Sequence, residues 1–141
     1  MQSRAVVPTR ITHAEIEDGA VPDACGGWLA GTARRIAYRS VRNRGTLGGS
    51  LAHADPAGDW LPVLLALSAE VIIRGRAGLR AMTLAAFVTG PFTTALSADE
   101  VVVGIRVRKR SHAARLGYQK ISVKAGEFAK ALAVVLLDSA R

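Results

Sequence analysis

The sequence predicts an α+β fold, in which helices and strands both occur but do not alternate regularly. Two observations predict it. Apolar residues recur every three to four positions in several segments, which is the period of a helix. Short β-branched runs bounded by glycine follow later in the chain and are typical of strands. The chain has 141 residues, of which 50% are hydrophobic and 21% charged, a composition typical of globular domains.

The first half of the chain predicts helices separated by irregular segments. Thr12 and Glu15 have the spacing of a capping box, which opens a short helix. Trp28–Tyr38 places its apolar residues on one face of an amphipathic helix. The remaining segments lack a helical period. They are expected to be an irregular start over Met1–Arg10, a loop over Gly19–Gly27, an extended Ser40–Arg44 and an irregular Gly45–Pro56.

The second half predicts mainly strands. Trp60–Glu70 is leucine-rich and predicts a buried helix, and Thr83 is expected to cap a second, short helix over Leu84–Val88. Gly90–Asp99 is expected to be a loop and Arg108–Arg115 a charged linker. The predicted strands are Val71–Arg74 and Leu79–Met82 as a hairpin, Val101–Val107, and then Leu116–Val123 and Lys130–Asp138 as the opening of a further domain.

Composition argues against several classes of protein. Cys25 is the only cysteine, and the three histidines show no HxH or HExxH spacing, so no disulfide and no metal site within the chain are expected. No apolar run approaches the roughly 20 residues of a membrane span. The net charge is +8, but no nucleic-acid-binding motif accompanies it and aromatic stacking residues are few. A cytoplasmic protein without a nucleic-acid partner is therefore expected.

The segment from Val41 to Trp60 reads VRNRGTLGGSLAHADPAGDW and carries the main chemical signal. Gly48 and Gly49 can take positive φ and approach a ligand closely. The amides of such a turn, flanked by hydroxyl groups, can converge on phosphate oxygens as an anion nest. Asp59 precedes a helix, where it either caps that helix or accepts a ribose hydroxyl. The alternative is an ordinary glycine turn, and the string matches neither GxGxxG nor GxxxxGK[ST].

The string RNRGTLGGSLAHADPAGDW resembles the second FAD-binding signature of the FAD subunits of molybdenum hydroxylases, which include the medium subunit of aerobic carbon monoxide dehydrogenase. THAEIEDG, AAFVTGPFTTALSADE and GYQKISVKAGEF resemble further segments of that family. The resemblance implies the second lobe of a vanillyl-alcohol-oxidase-like (PCMH-type) FAD-binding domain over residues 1–108, with a mixed sheet and flanking helices. Residues 109–141 would begin the C-terminal domain.

The resemblance also implies which residues bind the cofactor. These are Thr46, Leu47, Gly48, Gly49, Ser50, Asp59, Ile36, Val102 and Lys120. His53 and Asp55 belong to the motif and either hold the loop by hydrogen bonds or contact the cofactor. No catalytic residue and no metal ligand are implied, since in such subunits the flavin performs the redox chemistry.

The implied function is that of an FAD-binding electron-transfer subunit. Electrons would pass from a [2Fe–2S] small subunit through FAD to an acceptor, beside a large molybdopterin subunit that acts on the substrate. The family's first signature, Gly-Gly-[QHN]-[ST], is expected to be absent, because Gly26 and Gly27 are followed by Trp28 and Leu29. The alternative is a truncated, non-catalytic remnant that does not hold FAD alone. The substrate cannot be identified from this chain.

Overall fold

A computed structural model describes residues 4–22 and 25–138 of the chain. The elements in chain order are β1 (Arg4–Pro8), α1 (His13–Glu17), α2 (Trp28–Arg34), α3 (Arg39–Arg42), α4 (Leu47–His53), α5 (Trp60–Ala66), β2 (Glu70–Gly75), β3 (Gly78–Thr83), α6 (Leu84–Phe87), β4 (Val88–Gly90), β5 (Thr93–Thr94), β6 (Val101–Arg108), β7 (Arg115–Ile121) and β8 (Ala131–Leu137). The expected α+β class is confirmed.

Four strands form the main sheet in the order β1-β6-β2-β3. All of its pairings are antiparallel, whereas the resemblance implied a mixed sheet. Within this lobe, β2 and β3 are joined by a tight turn at Gly75–Gly78, which only antiparallel strands allow. The predicted hairpin and the strand over Val101–Val107 are thereby confirmed. The register of β2 against β6 shifts between Ile72 and Ile73, so Val102 lies opposite Ile73.

Several segments differ from expectation. Gly90–Asp99, expected to be a loop, includes the short strand β5, which pairs with β4. Arg4–Pro8, expected to be irregular, is the edge strand β1, because it pairs with β6 and buries Val7 against the core. A run of five residues is too short to show a clear hydrophobic period, and its strand partner lies far away in the sequence. Arg39–Arg42, expected to be extended, forms α3. The glycine-rich segment contains the helix α4 over Leu47–His53.

The helices cover one part of the sheet and complete the core. Trp60, Leu61, Val63 and Leu64 of α5 are all buried, and they join the inward residues of β2 and β6 in one apolar cluster. The predicted helix over Trp60–Glu70 ends earlier, at Ala66, because Ser68 has a φ of 52°. No helix in the described ranges is long and apolar enough to cross a membrane.

A second, two-stranded sheet is formed by β7 and β8, which confirms the last two predicted strands. Leu116, Tyr118 and Val134 on one face pack against the core cluster. On the other face Ile121, with 59% of its surface exposed, and Leu137, with 67%, remain open. The inward face brings Tyr118 and Lys120 to Asp59, which precedes α5. The division of the chain after residue 108 stays a prediction.

Candidate functional site

The glycine-rich segment is a capped helix and not an open turn. Thr46 is the N-cap of α4, and its Oγ1 accepts from the Gly49 amide at 3.1 Å. Gly48 and Gly49 both lack positive φ, so that part of the prediction is wrong. The other amides of residues 47–50 also donate within the protein: Leu47 to the Ile11 carbonyl at 3.1 Å, Gly48 to the Thr9 carbonyl at 2.9 Å and Ser50 to the Thr46 carbonyl at 3.1 Å.

Close packing explains why a glycine stands at position 48. A Cβ there would lie 2.8 Å from the Thr9 Cβ, which is too short for a real contact, and 3.0 Å from the Thr9 carbonyl oxygen, which is unusually tight. The Thr9 hydroxyl donates to the Val102 carbonyl at 2.7 Å. Thr9 therefore joins the start of α4 to β6, and the predicted Val102 lies behind this segment as part of the sheet.

Asp59 is the most strongly engaged of the predicted site residues. Its side chain makes no capping hydrogen bond to α5, so the helix-capping interpretation is wrong. Lys120 donates to Asp59 Oδ1 at 2.9 Å and to Oδ2 at 3.1 Å, and the Tyr118 hydroxyl donates to Oδ1. Burial, together with this hydrogen bond to Asp59, raises the pKa of Tyr118. A carboxylate offers about four acceptor positions, so one position remains after these three contacts.

His13 stands between Trp60 and Ser50. The Trp60 indole donates from Nε1 to His13 Nδ1 at 3.2 Å, and His13 Nε2 lies 3.4 Å from Ser50 Oγ. A Cβ on Gly45 would lie 2.9 Å from both Cδ2 and Nε2 of the ring, so the glycine leaves room for the imidazole. Burial and the nearby Arg42 charge lower the pKa of His13.

Arg42 fixes the segment that carries Ile36 and Ala37. Its Nη1 donates to the Ile36 and Ala37 carbonyls, both at 2.9 Å, and its Nε donates to Glu17 at 2.7 Å. The bonds from the guanidinium lower the pKa of Glu17. Ala37 has a φ of 43°, and Gly126 packs so closely against it that a Cβ would lie 3.1 Å from the Ala37 carbonyl. These contacts hold Ile36 in place.

A cavity of about 230 Å³ opens among these residues and is mainly apolar. Its lining includes Ile36, Ser50, Asp59, His13, Trp60 and Phe128. A wider cleft of about 500 Å³ adjoins it and shares Ala37 and Gly126 with the first. The cleft is lined by the cations Arg34, Arg35 and Lys120, and the Arg35 guanidinium lies 4.3 Å from the centroid of the Tyr118 ring.

The structure brings part of the predicted set together. Ile36, Ser50 and Asp59 line the cavity and Lys120 lines the cleft. The others lie outside the linings of both. Thr46 caps α4, and Leu47 and Gly48 form its first turn, with Gly49 exposed beside them. Val102 belongs to the sheet.

The two further motif residues separate into different roles. Asp55 accepts from the Ala57 amide at 2.8 Å through Oδ1, which is a turn within the loop and confirms that it holds the loop. His53 lies against Phe92, with the ring centroids 5.2 Å apart. Both residues also line the cavity. Contact of either residue with a cofactor stays a prediction.

Sequence reasoning missed His13, Arg42, Trp60 and Tyr118. Their local sequence has no signal, because each acts through a side-chain partner at least 25 positions away or through a backbone carbonyl. Near His13 the local signal was the spacing of Thr12 and Glu15, and that capping box is present, with the Thr12 amide donating to Glu15 at 2.8 Å.

The donors and acceptors present fit a nucleotide-type cofactor better than a metal ion. The described residues contain no group of three or more metal-ligating side chains. The cavity of about 230 Å³ is below the roughly 300–1,000 Å³ of a typical small-molecule site, so it encloses only part of a dinucleotide. The adjoining cationic cleft supplies the charge that a pyrophosphate requires.

Comparison with known proteins supports the resemblance noted in the sequence. A family model described as "FAD binding domain in molybdopterin dehydrogenase" matches residues 3–108. The nicotine 6-hydroxylase medium subunit of Paenarthrobacter nicotinovorans is 36% identical over 130 residues, which are 92% of this chain and 45% of that protein. The carbon monoxide dehydrogenase medium chain of Hydrogenophaga pseudoflava is 36% identical over 109 residues, covering 77% and 38% respectively.

A solved structure agrees with these sequence matches. The carbon monoxide dehydrogenase from Hydrogenophaga pseudoflava superposes with a TM-score of 0.90 at 32% identity, over 96% of this chain and 47% of that one. The chain thus spans about half the length of the relatives it matches. Apart from the antiparallel pairing of the main sheet, the fold implied by the resemblance is confirmed, and so is FAD as the cofactor of the matched family.

Proposed function

The chain belongs to the family of FAD-binding domains of molybdopterin dehydrogenases, and on this premise we propose that it binds FAD as an electron-transfer component of a multi-subunit molybdenum hydroxylase. The observation that carries the proposal is the cavity between α4 and the Asp59–Lys120 pair. The residues that line it belong to the signature string on one side and to the C-terminal hairpin region on the other.

Four of the predicted residues can contact the cofactor directly. Ile36 supplies an apolar wall for a flat ring system, and Ser50 supplies a hydroxyl. Asp59 retains one acceptor position for a hydroxyl such as that of the ribitol or ribose chain. Lys120 lies at the cationic cleft, but its charge is balanced by Asp59 at 2.9 Å.

Arg35 therefore provides most of the net positive charge for the pyrophosphate in this proposal, and Arg34, whose Nε lies 3.9 Å from Glu17 Oε1, adds a smaller share. Gly49 is exposed at the start of α4, so it leaves room for a cofactor to pass. Thr46, Leu47, Gly48 and Val102 contribute by holding that helix against the sheet.

When bound, FAD supplies the redox chemistry, taking up electrons and passing them to an acceptor. The residues of this chain bind the cofactor, orient it and shield it from water. The buried Trp60 and the partly buried Ile36 exclude water from the cavity wall, and a lower local polarity strengthens each hydrogen bond made inside it.

An FAD titration of the purified chain, followed by quenching of flavin fluorescence, tests cofactor binding. Gly49→Leu should weaken binding at least tenfold, because its side chain would stand at the exposed start of α4 and its Cβ would lie 3.1 Å from Thr46 Oγ1, the N-cap oxygen. Gly31→Leu is the matched control: it also lies in a short helix, and a Cβ there meets nothing within 4 Å. Equal affinities for the two variants would count against the site. If the wild-type chain does not quench the fluorescence of FAD, that result would favour the alternative, a non-catalytic remnant.

The proposed partners are a [2Fe–2S] small subunit and a large molybdopterin subunit, and the proposed location is the cytoplasm. Co-expression with candidate partners should yield one complex that contains flavin, iron and molybdenum and reduces an electron acceptor. Asp59→Asn in that complex should lower its flavin content. Asp99→Asn, at an exposed loop position, should leave the flavin content unchanged. If the chain migrates alone in every co-expression, the proposed partners are wrong.

A further inference from the structure

The contacts of His13 indicate that it positions another residue within the proposed FAD site, and this inference rests on the proposed function. We propose that His13, held in one tautomer by the Trp60 indole, donates to Ser50 and so directs the Ser50 hydroxyl proton to an acceptor on the cofactor.

The tautomer follows from the chemistry of the donor. An indole N–H can only donate, and Trp60 Nε1 lies 3.2 Å from His13 Nδ1. His13 Nδ1 must therefore be unprotonated. The proton of the neutral ring then resides on Nε2, which lies 3.4 Å from Ser50 Oγ.

Three constraints keep the ring in this orientation. The His13 amide donates to the Gly45 carbonyl at 2.9 Å, which fixes the backbone below the ring. The edge of the ring lies over Gly45, where any Cβ would be 2.9 Å away. Trp60 is only 2% exposed and His13 only 4%, so water cannot readily replace either partner.

The consequence for Ser50 concerns the direction of its proton. A serine hydroxyl has one proton and two lone pairs, and it rotates to suit its partners. Once His13 Nε2–H donates to one lone pair of Ser50 Oγ, the Ser50 hydroxyl proton has no partner among the described residues. The long distance of 3.4 Å indicates a weak bond, which orients the hydroxyl without fixing it rigidly. Because Ser50 lines the cavity, the proton is available to a carbonyl, ring nitrogen or phosphate oxygen of FAD.

Two amide variants, each of which can reproduce one ring nitrogen of His13, separate positioning from simple structural support. In His13→Asn the side-chain oxygen can replace Nδ1 as the acceptor for Trp60, but the donor to Ser50 is lost. In His13→Gln the amide nitrogen can replace Nε2 as the donor to Ser50, but the acceptor for Trp60 is lost. FAD affinity should fall about threefold to tenfold in the asparagine variant, the value of one neutral hydrogen bond, and change little in the glutamine variant.

Thermal stability should show the opposite order, with the glutamine variant less stable than the asparagine variant, because it leaves a buried indole N–H unpaired. A purely structural role would move stability and affinity together, and that result would overturn the proposal. Ser50→Ala should weaken FAD binding at least as much as His13→Asn, and the double variant should lose no more than Ser50→Ala alone. An additive loss would also overturn it.

Nitrogen NMR of the imidazole tests the tautomer without any cofactor. We expect an unprotonated Nδ1 and a protonated Nε2 on His13, and a proton on Nδ1 would refute the inference. A chain that binds no FAD would refute the proposed function and the positioning role that rests on it, whereas the tautomer of His13 would still be decided separately by the ring nitrogens.

Discussion

The Asp59–Lys120 pair provides the sharpest test of how the C-terminal hairpin is joined to the rest of the chain. The side chain of Asp59 is 6% exposed and that of Lys120 is 11% exposed. Lys120→Met removes the cation and leaves the buried carboxylate without it. Loss of one partner of a buried pair costs about 3–5 kcal/mol. The Tyr118 hydroxyl still donates to Asp59, so we expect the lower end, about 3 kcal/mol.

That loss should be visible in thermal unfolding followed by circular dichroism. For a chain of this size about 3 °C of Tm correspond to 1 kcal/mol, so Lys120→Met should unfold about 10 °C lower. Arg4→Met is the matched control. It breaks the salt bridge to Glu70, where the side chains are 42% and 28% exposed, and exposed pairs contribute less than about 1 kcal/mol.

The variant of the partner residue, Asp59→Asn, and the double variant complete a double-mutant cycle. Asp59→Asn should cost less than Lys120→Met, because the lysine stem is flexible and can carry its charge to solvent. Asp59→Asn combined with Lys120→Met buries no charge, so it should be more stable than Lys120→Met alone. The reasoning is refuted if Lys120→Met costs no more than Arg4→Met, or if the double variant costs the sum of the two single ones.

Three further outcomes follow from packing, capping and charge. Gly48→Ala should lower the free energy of unfolding by about 1–3 kcal/mol in urea unfolding, whereas Gly31→Ala, in open space within a helix, should raise it by up to about 1 kcal/mol. Thr46→Ala should cost about 1 kcal/mol in the same measurement, because it removes the N-cap oxygen of α4. Hydrogen bonds from Arg80 lower the pKa of Glu100 to about 2, against about 4.3 when unfolded, so this pair should lose its stabilisation as the pH falls from about 4.3 to 2, and Glu100→Gln should remove that part of the pH dependence of Tm.

Local signals in the sequence were sufficient for the elements that depend on near neighbours. The capping box at Thr12 and the cap at Thr83 each need only a residue three positions away. The hairpin at Gly75–Gly78 needs only its glycines and the flanking apolar runs. In these cases the residues that form the contact also form the pattern, so the sequence alone predicts them.

The parts that could not be predicted depend on distant partners. Arg39–Arg42 has no clear helical pattern, and α3 is stabilised by bonds from Arg42 to Glu17 and to the carbonyls before the helix. The role of Asp59 depends on Lys120, 61 positions later in the chain. The sequence shows that an aspartate precedes a helix, and only the folded chain shows which donors reach it.

The two glycines of the signature show how a correct identification can rest on an incorrect physical reason. Their pattern predicted a turn of positive φ with free amides, yet the amides from Leu47 to Ser50 already have acceptors within the protein. Gly48 is instead needed where α4 passes over Thr9, and a Cβ on the exposed Gly49 would lie 3.1 Å from Thr46 Oγ1, the N-cap oxygen. If FAD binds as proposed, side chains such as Ser50, Asp59 and the nearby arginines must therefore make the polar contacts. Substitutions of these side chains should consequently affect FAD affinity more directly than changes in the backbone of the glycine segment.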